Sequence, residues 1–143
     1  MSDASRTRHH PETGTLLVRG TRPFTVAYRG QSMVVDMPGW YAPDDPAGES
    51  GLHDARDMRV SDRALNTLKA LDAGLFPPDM VRKIRKGLRI TQREAGALIG
   101  GGPNAFQKYE SGDIVISKAV DTALRLLDGK PQRLSELRQA RRA

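Results

Sequence analysis

The stretch that decides the fold of this chain is ITQREAGALIGGGPNAFQKYESG, residues 90–112. Thr91, followed three residues later by Glu94, forms an S/T-x-x-E capping box and predicts that a helix starts here. The glycine triplet at residues 100–102 would end this helix, and Pro103 suits the first position of a second one, where no N–H is needed. Two short helices joined by a tight turn predict a helix-turn-helix, whose second helix enters the major groove of DNA.

The same residues resemble the Xre/Cro-like helix-turn-helix family. That family reads roughly TQ-x-E-x-A/G-x-x-L/I-G, followed by a recognition helix that ends in aromatic-E-x-G. The counterparts here are TQREAGALIG, residues 91–100, and YESG, residues 109–112. One subgroup matches better, because GGGPNAFQKYESG is similar to MqsA-type antitoxins, which carry a near-identical glycine triplet before NAF-x-R/K-YE-x-G. The resemblance covers residues 78–130 well.

The whole chain is predicted to be an α+β protein. A small antiparallel β domain and its linker are expected over residues 14–57, and a helical domain with a five-helix Xre/Cro-like helix-turn-helix over residues 58–143. Residues 1–13 lack periodicity and are expected to be a flexible tail. Short β-prone runs between turn residues, with a turn at Arg29-Gly30, predict strands at residues 16–18, 24–28 and 32–35.

Turn and capping residues predict the structure of the remaining segments of the chain. Residues 43–57 are rich in Pro, Gly and Asp and are expected to be a linker or long loop. A helix over residues 59–76 has a narrow apolar stripe that suits a connector or a dimer contact. Further helices are expected at residues 78–89, after a Ser117 cap, and from Pro131 onward.

The basic charge of the chain is concentrated in one half. The formal net charge is +6. Residues 1–77 carry a net charge of −1, and residues 78–143 carry a net charge of +7. Such an asymmetry in the half that contains the helix-turn-helix is the electrostatic footprint of a nucleic-acid-binding domain.

Three residues of the second helix are the candidates for reading DNA bases: Asn104, Gln107 and Lys108. Asparagine is the usual bidentate partner of adenine, and lysine commonly donates to guanine. The resemblance implies the same, since MqsA-type proteins are understood to read bases with the asparagine of NAF and the basic residue four positions later. The alternative for Asn104 is a capping or turn role at the helix start.

Contacts with the DNA phosphates are expected from the two preceding helices. Gln92 begins the first helix of the helix-turn-helix and is expected to meet phosphate. The helix at residues 78–89 carries four cations that are expected to point outward: Arg82, Lys83, Arg85 and Lys86. Arg82 and Lys86 are the candidates for phosphate contact, and the alternative is an ordinary charged surface. Phe106 is expected in the core, and Glu110 is expected to be structural.

The chain contains no cysteine. Disulfides, thiol catalysis and cysteine-based zinc sites are therefore excluded. The resemblance implies an N-terminal domain that normally binds structural zinc through two C-x-x-C pairs, which would fall here at residues 8–12 and 42–45. The histidines and aspartates of these segments, His9, His10, Asp44 and Asp45, make a poor structural zinc site, so we expect no metal and no cofactor.

A small β domain without a metal needs another source of stability, such as packing, a dimer or a partner. Its aromatic residues Phe24, Trp40 and Tyr41 are the candidate anchors and the candidate partner-binding residues. The alternative of a pure core role carries more weight for such side chains than direct contact with a partner.

The predicted function is a DNA-binding antitoxin that neutralises a ribonuclease-type toxin and represses its own operon; both activities are implied by the resemblance. The alternative is a stand-alone or phage-type Xre-family repressor without a toxin. The expected partners are operator DNA, the toxin and a second copy of the chain. No catalytic constellation is evident, so an enzyme is not expected. Without a signal-like segment or an apolar run of ~18–20 residues, we expect a cytoplasmic protein with no membrane partner.

Overall fold

A computed structural model describes residues 6–142 of this chain. These residues form two compact units, divided between Leu65 and Asn66. We call residues 6–65 the β unit and residues 66–142 the helical unit. In the described residues three antiparallel strands precede six helices, which confirms the predicted α+β class. The elements are β1 Thr7–His9, β2 Leu16–Tyr28, β3 Gln31–Tyr41, α1 Ala55–Asp72, α2 Pro78–Gly87, α3 Gln92–Leu98, α4 Ala105–Ser111, α5 Lys118–Leu127 and α6 Arg133–Arg142.

The sheet of the β unit is built around one long hairpin of β2 and β3. Arg29 and Gly30 both have positive φ angles, 46° and 82°, and form the predicted turn between the strands. The expected strands at residues 16–18 and 24–28 are one continuous strand. Pro23 lies within it and pairs in register with Asp36. Proline is tolerated there because β1 pairs with β2 only as far as Val18, so this part of β2 is a sheet edge.

The prediction of a flexible tail at residues 1–13 does not hold for Thr7–His9, which form a strand. Residues 1–5 lie outside the described residues, but Thr7–His9 form strand β1 and pair with β2 in the register Thr7↔Val18. A short turn supports this strand, with the N–H of His10 donating to the Thr15 carbonyl over 2.8 Å. The polar sequence Thr-Arg-His gives no periodic signal, and the strand is defined by its backbone pairing with β2.

The predicted linker at residues 43–57 is also ordered. It folds back onto the end of β3, where Trp40 and Leu52 exchange two backbone hydrogen bonds of 2.9 Å. Helix α1 starts at Ala55, four residues before the expected start, because Asp54 and Asp57 accept each other's backbone N–H at 2.9 and 3.0 Å. This reciprocal pair is an aspartate version of the capping box.

The helical unit encloses one apolar core. The buried members come from helices α2 to α6 and the loops between them: Val81, Ile84, Leu88, Ile90, Ala95, Phe106, Ile116, Val120, Leu124, Leu127 and Leu134. The expected Ser117 cap is confirmed, since its side chain accepts the Val120 N–H. Helix α6 begins two residues after Pro131. Of the helices in the described residues, none combines the length and apolar character needed to cross a membrane.

Candidate nucleic-acid interface

Helix α3 begins where the sequence places it. The Thr91 hydroxyl accepts the Glu94 N–H at 3.1 Å, and the Glu94 carboxylate accepts the Thr91 N–H at 3.1 Å. The capping box is therefore complete. Because both hydrogen bonds are local, the start of α3 is fixed by four consecutive residues and does not depend on distant packing.

The turn between α3 and α4 needs glycine in the triplet at residues 100–102 and also at Gly96 of α3. Gly100, Gly101 and Gly102 have φ angles of 141°, 95° and 90°, values that favour glycine. Gly96 is buried on α3, and a Cβ atom at this position would overlap the carbonyl oxygen of Gly102. The close approach of the turn to α3 therefore requires glycine at residue 96, and it fixes where α4 starts.

Helix α4 starts at Ala105, two residues after the expected start, with Pro103 in the turn. Phe106 is fully buried, as predicted, and its ring meets Tyr109 edge-on at 5.3 Å. The three candidate base-reading residues, Asn104, Gln107 and Lys108, are all exposed. Asn104 is the N-cap residue of α4, but its side chain makes no capping hydrogen bond. Within the described part of the chain, the side chains of these three residues carry no hydrogen bond or ion pair.

A buried carboxylate joins α4 to the two helices before it. Glu110 is only 3% exposed and accepts two hydrogen bonds from Arg85, at 2.6 and 2.8 Å. Gln92 donates to the same carboxylate at 3.2 Å, and Arg82 lies 3.5 Å from it. We call these four residues the Glu110 cluster. Burial raises the pKa of Glu110, but the hydrogen bonds from Arg85 and Gln92 outweigh this and keep its pKa below the ordinary value.

The Glu110 cluster changes the predicted assignment of the basic residues. Arg85 was expected to point outward, but its side chain is 12% exposed and pairs with Glu110. The sequence contains a signal for the inward orientation of Arg85, because Phe106 and Glu110 are four residues apart and therefore share the inner face of α4. A carboxylate on that face needs a cation, and a neighbouring helix supplies one.

The phosphate candidates are arranged around the same cluster. Arg82 is exposed and also donates to the Glu110 carbonyl at 3.3 Å, while Gln92 is half-buried. Lys86 is exposed. Arg93, on the first turn of α3, is exposed as well and is a further candidate for phosphate contact. It did not stand out in the sequence because the family pattern leaves this position open.

Comparison with known proteins decides the family. A family model for the antitoxin component of bacterial toxin-antitoxin systems, MqsA, matches residues 11–138. This chain belongs to the MqsA antitoxin family. The resemblance read from residues 100–112 is thereby confirmed. Antitoxin MqsA of Escherichia coli (strain K12) is 39% identical over 69 residues, which are 48% of this chain and 53% of that protein. The match thus spans about half the length of that relative.

The candidate partner-binding residues of this MqsA-family chain lie in different environments. Phe24 is 47% exposed on the hairpin. Trp40 is half-buried, and the guanidinium groups of Arg8 and Arg19 lie 5.6 Å and 5.1 Å from the centre of its ring. Tyr41 is 2% exposed, and its hydroxyl donates to the Met37 carbonyl at 2.7 Å. The structure therefore places Tyr41 in the core, whereas Phe24 and Trp40 remain accessible.

The position of Trp40 is fixed by a buried ion pair. Asp57 is buried at the start of α1 and accepts two hydrogen bonds from Arg19, at 2.8 and 2.9 Å. The hydrogen bonds from Arg19 lower the pKa of Asp57 to about 2. The same guanidinium stacks on the Trp40 ring, so the ion pair orders the surface that Trp40 presents.

Proposed function

We propose that this chain is an antitoxin that binds operator DNA through α3 and α4, represses its own operon and masks a ribonuclease-type toxin with its β unit. The observation that supports DNA binding most strongly is the exposed side of α4. Asn104, Gln107 and Lys108 suit base edges and have no partner among the described residues. The Glu110 cluster on the inner side of α4 leaves no buried side-chain polar atom without a hydrogen-bond partner. Membership of the MqsA antitoxin family supports the toxin-binding half.

In the proposed complex, α4 lies in the major groove. Asn104 pairs with an adenine, Lys108 donates to a guanine, and Gln107 contacts the adjacent base. Arg82, Lys86 and Gln92 contact phosphates on either side and set the register. The Glu110 cluster holds α2, α3 and α4 at fixed mutual angles, so phosphate and base contacts form together.

The DNA experiment compares two alanine variants of the full chain on operator and on random DNA. Asn104→Ala should weaken operator binding by about 1–3 kcal/mol and relax the preference at one base pair, because it removes a base contact. Arg82→Ala should weaken both DNAs alike and lower the salt slope by about one unit. If the two variants lose affinity equally on both DNAs, α4 is not the reading element.

We propose that the chain binds DNA as a homodimer, because a single α4 reads too few bases for a specific site. A groove between α5 and α6 supports this proposal. It is lined mainly by apolar side chains, and Leu126 at its edge is 56% exposed. Arg133 and Glu136 lie beside these side chains and suit a two-fold contact, in which unlike charges face each other. The half-sites would then be about 10 bp apart, or a multiple of that spacing.

Sedimentation tests the dimer. The wild type should sediment as a dimer alone and with palindromic DNA, and Leu126→Glu should shift it to a monomer that binds half-site DNA weakly. Val34→Glu is the matched control, because Val34 is 65% exposed on the hairpin of the β unit and is not among the residues that line the groove. A wild-type monomer bound to one asymmetric half-site would contradict the proposal.

For the toxin, the exposed hairpin is the proposed contact. Phe24 lies opposite Val35 in the register of β2 and β3, and the edges of this part of the hairpin can accept a strand from a partner. The proposed mechanism is steric masking, in which the antitoxin covers the toxin and does no chemistry on it.

Co-purification tests the toxin contact. Full-length chain is co-expressed with the small reading frame that adjoins its gene. Phe24→Asp should abolish co-purification and rescue from toxicity while leaving operator binding intact. Val34→Asp is the control, because Val34 is exposed on the opposite face of the same hairpin. If no neighbouring product is toxic, the proposal falls in favour of a stand-alone repressor.

A further inference from the structure

The two segments that correspond to the zinc-binding pairs of MqsA-type proteins face each other in the β unit. Residues 8–12 and 42–45 contribute to a shared cavity of about 240 Å³. The side chains that line it are His10, Thr13, Thr15, Leu17, Ala42, Asp44 and Ser50. The chain therefore keeps the layout of the site, and the donor set decides whether a metal fits.

This donor set does not suit structural zinc, which takes four cysteine or histidine ligands in most sites. Among the described residues that line the cavity, only His10 and Asp44 carry an imidazole or a carboxylate. The Nδ1 atom of His10 already accepts the backbone N–H of Glu12 at 3.1 Å and that of Thr13 at 3.4 Å. Across residues 6–142, no three His, Asp or Glu side chains are grouped so that they could hold a metal ion. The residues present do not fit the metal.

One carboxylate next to this cavity organises the loop instead. The Oδ1 atom of Asp45 accepts the N–H of Gly48 at 3.1 Å and of Glu49 at 3.2 Å. Its Oδ2 atom accepts the N–H and the hydroxyl of Ser50, at 3.0 and 2.8 Å. These hydrogen bonds, led by those from Ser50, lower the pKa of Asp45. Asp45 thus gathers the middle of the loop around a single side chain.

An arginine from β2 ties the same loop to the sheet. Arg22 donates from Nε to the Asp45 carbonyl at 2.9 Å and from Nη2 to the Ala42 carbonyl at 3.2 Å. Its guanidinium lies 4.7 Å from the centre of the buried Tyr41 ring. Gly48 and Gly51 pass so close to Tyr41 that a Cβ at either position would clash with the ring. The loop is therefore packed on the sheet as well as hydrogen-bonded to it.

We propose that Asp45 and Arg22 replace the metal as the closure of residues 42–51, so that the β unit of this antitoxin folds without zinc and stays folded when zinc is withdrawn. A carboxylate, a guanidinium and backbone amides include no group that a chelator removes. The inference concerns the fold of the β unit, and it holds whether or not that unit binds a toxin.

The test uses the full chain and its single tryptophan, Trp40, whose fluorescence reports on the β unit. Asp45→Asn removes the negative charge and replaces one acceptor oxygen by an NH2 group, which leaves at least one backbone N–H of the loop facing a donor. It should lower the unfolding midpoint by about 5 °C or more, the shift that a loss of this kind gives in a small domain. Asp44→Asn is the matched control with the same charge change one residue away. Within the described residues Asp44 makes no hydrogen bond or ion pair, so its midpoint should move by less than about 1 °C.

Two further measurements keep the test decisive if Asp45→Asn does not fold. Ser50→Ala removes one of the four contacts and should give a smaller drop in the same direction. EDTA with 1,10-phenanthroline should leave the wild-type midpoint unchanged, and elemental analysis should find less than 0.1 zinc per chain, about the level of adventitious metal. One zinc per chain, a chelator-dependent midpoint, or Asp44→Asn as damaging as Asp45→Asn would overturn the proposal.

Discussion

The helical unit is stabilised mainly by its apolar core, whereas the β unit relies on polar cross-links. Eleven apolar residues form the buried cluster of the helical unit, with Phe106 and Leu124 fully inaccessible. In the β unit the buried apolar residues are fewer: Leu17, Val26, Met37, Tyr41, Ala42 and Ala64. Bidentate contacts of Arg19 with Asp57 and of Arg22 with the loop carbonyls supplement them. A short chain segment that buries little apolar area needs such cross-links to offset its ordering entropy.

The largest expected effect tests the apolar side of this comparison. Phe106→Ala leaves a cavity in the helical unit and should lower its free energy of unfolding by about 4 kcal/mol. Phe24→Ala removes the same atoms from the exposed hairpin and should cost less than about 1 kcal/mol. Urea denaturation followed by circular dichroism and by Trp40 fluorescence measures both. Equal losses would mean that the hairpin is packed more tightly than the structure shows.

The next effect concerns a buried ion pair of the helical unit, the one between Arg85 and Glu110. Glu110→Ala leaves the largely buried Arg85 unpaired and should lower the free energy of unfolding by about 3 kcal/mol. The double variant Arg85→Met/Glu110→Met should recover most of this loss, because an apolar pair restores the packing without a lone charge. Urea denaturation of the two variants gives the comparison. A double variant no more stable than Glu110→Ala would argue against this account.

Acid should destabilise the β unit through the protonation of Asp57. The folded-state pKa of Asp57 is about 2, below its ordinary value of 3.8. Its contribution to stability is therefore present above pH 3.8 and is lost as the pH falls towards 2, amounting to about 2 kcal/mol. Urea denaturation read by Trp40 fluorescence should show this loss between pH 4 and pH 2. The Asp57→Asn variant should be less stable at neutral pH and should show a flatter dependence on pH over that range.

The smallest expected losses of stability come from removing the helix caps of the helical unit. Thr91→Ala and Ser117→Ala each remove one capping hydrogen bond and should each cost about 1 kcal/mol. The caps belong to different helices and share no partner, so the double variant should show the sum of the two losses. Chemical denaturation of the three variants measures this. A double variant far from additive would indicate that α3 and α5 are coupled through the core.

The sequence alone determined the elements whose signals are local. The capping box of α3, the glycine turn, the Ser117 cap and the Arg29-Gly30 turn each depend on residues within a few positions of one another. Such interactions form within one short segment whatever packs against it, so they can be predicted from the sequence. The exposed positions Asn104, Gln107 and Lys108 follow from the same helical periodicity, as does the burial of Phe106.

Only the tertiary structure decided the contacts between distant residues. Arg19 and Asp57 are 38 positions apart, Arg22 and Asp45 are 23 apart, and Arg85 and Glu110 are 25 apart. Strand β1 and the ordered loop at residues 42–51 likewise depend on partners elsewhere in the chain. A charged residue has the same local pattern whether it faces water or a buried partner, because periodicity records the face of a helix and not what packs against it. For that reason the exposure of Asn104, Gln107 and Lys108 could be predicted, whereas the inward turn of Arg85 and the contact between Arg22 and Asp45 could not.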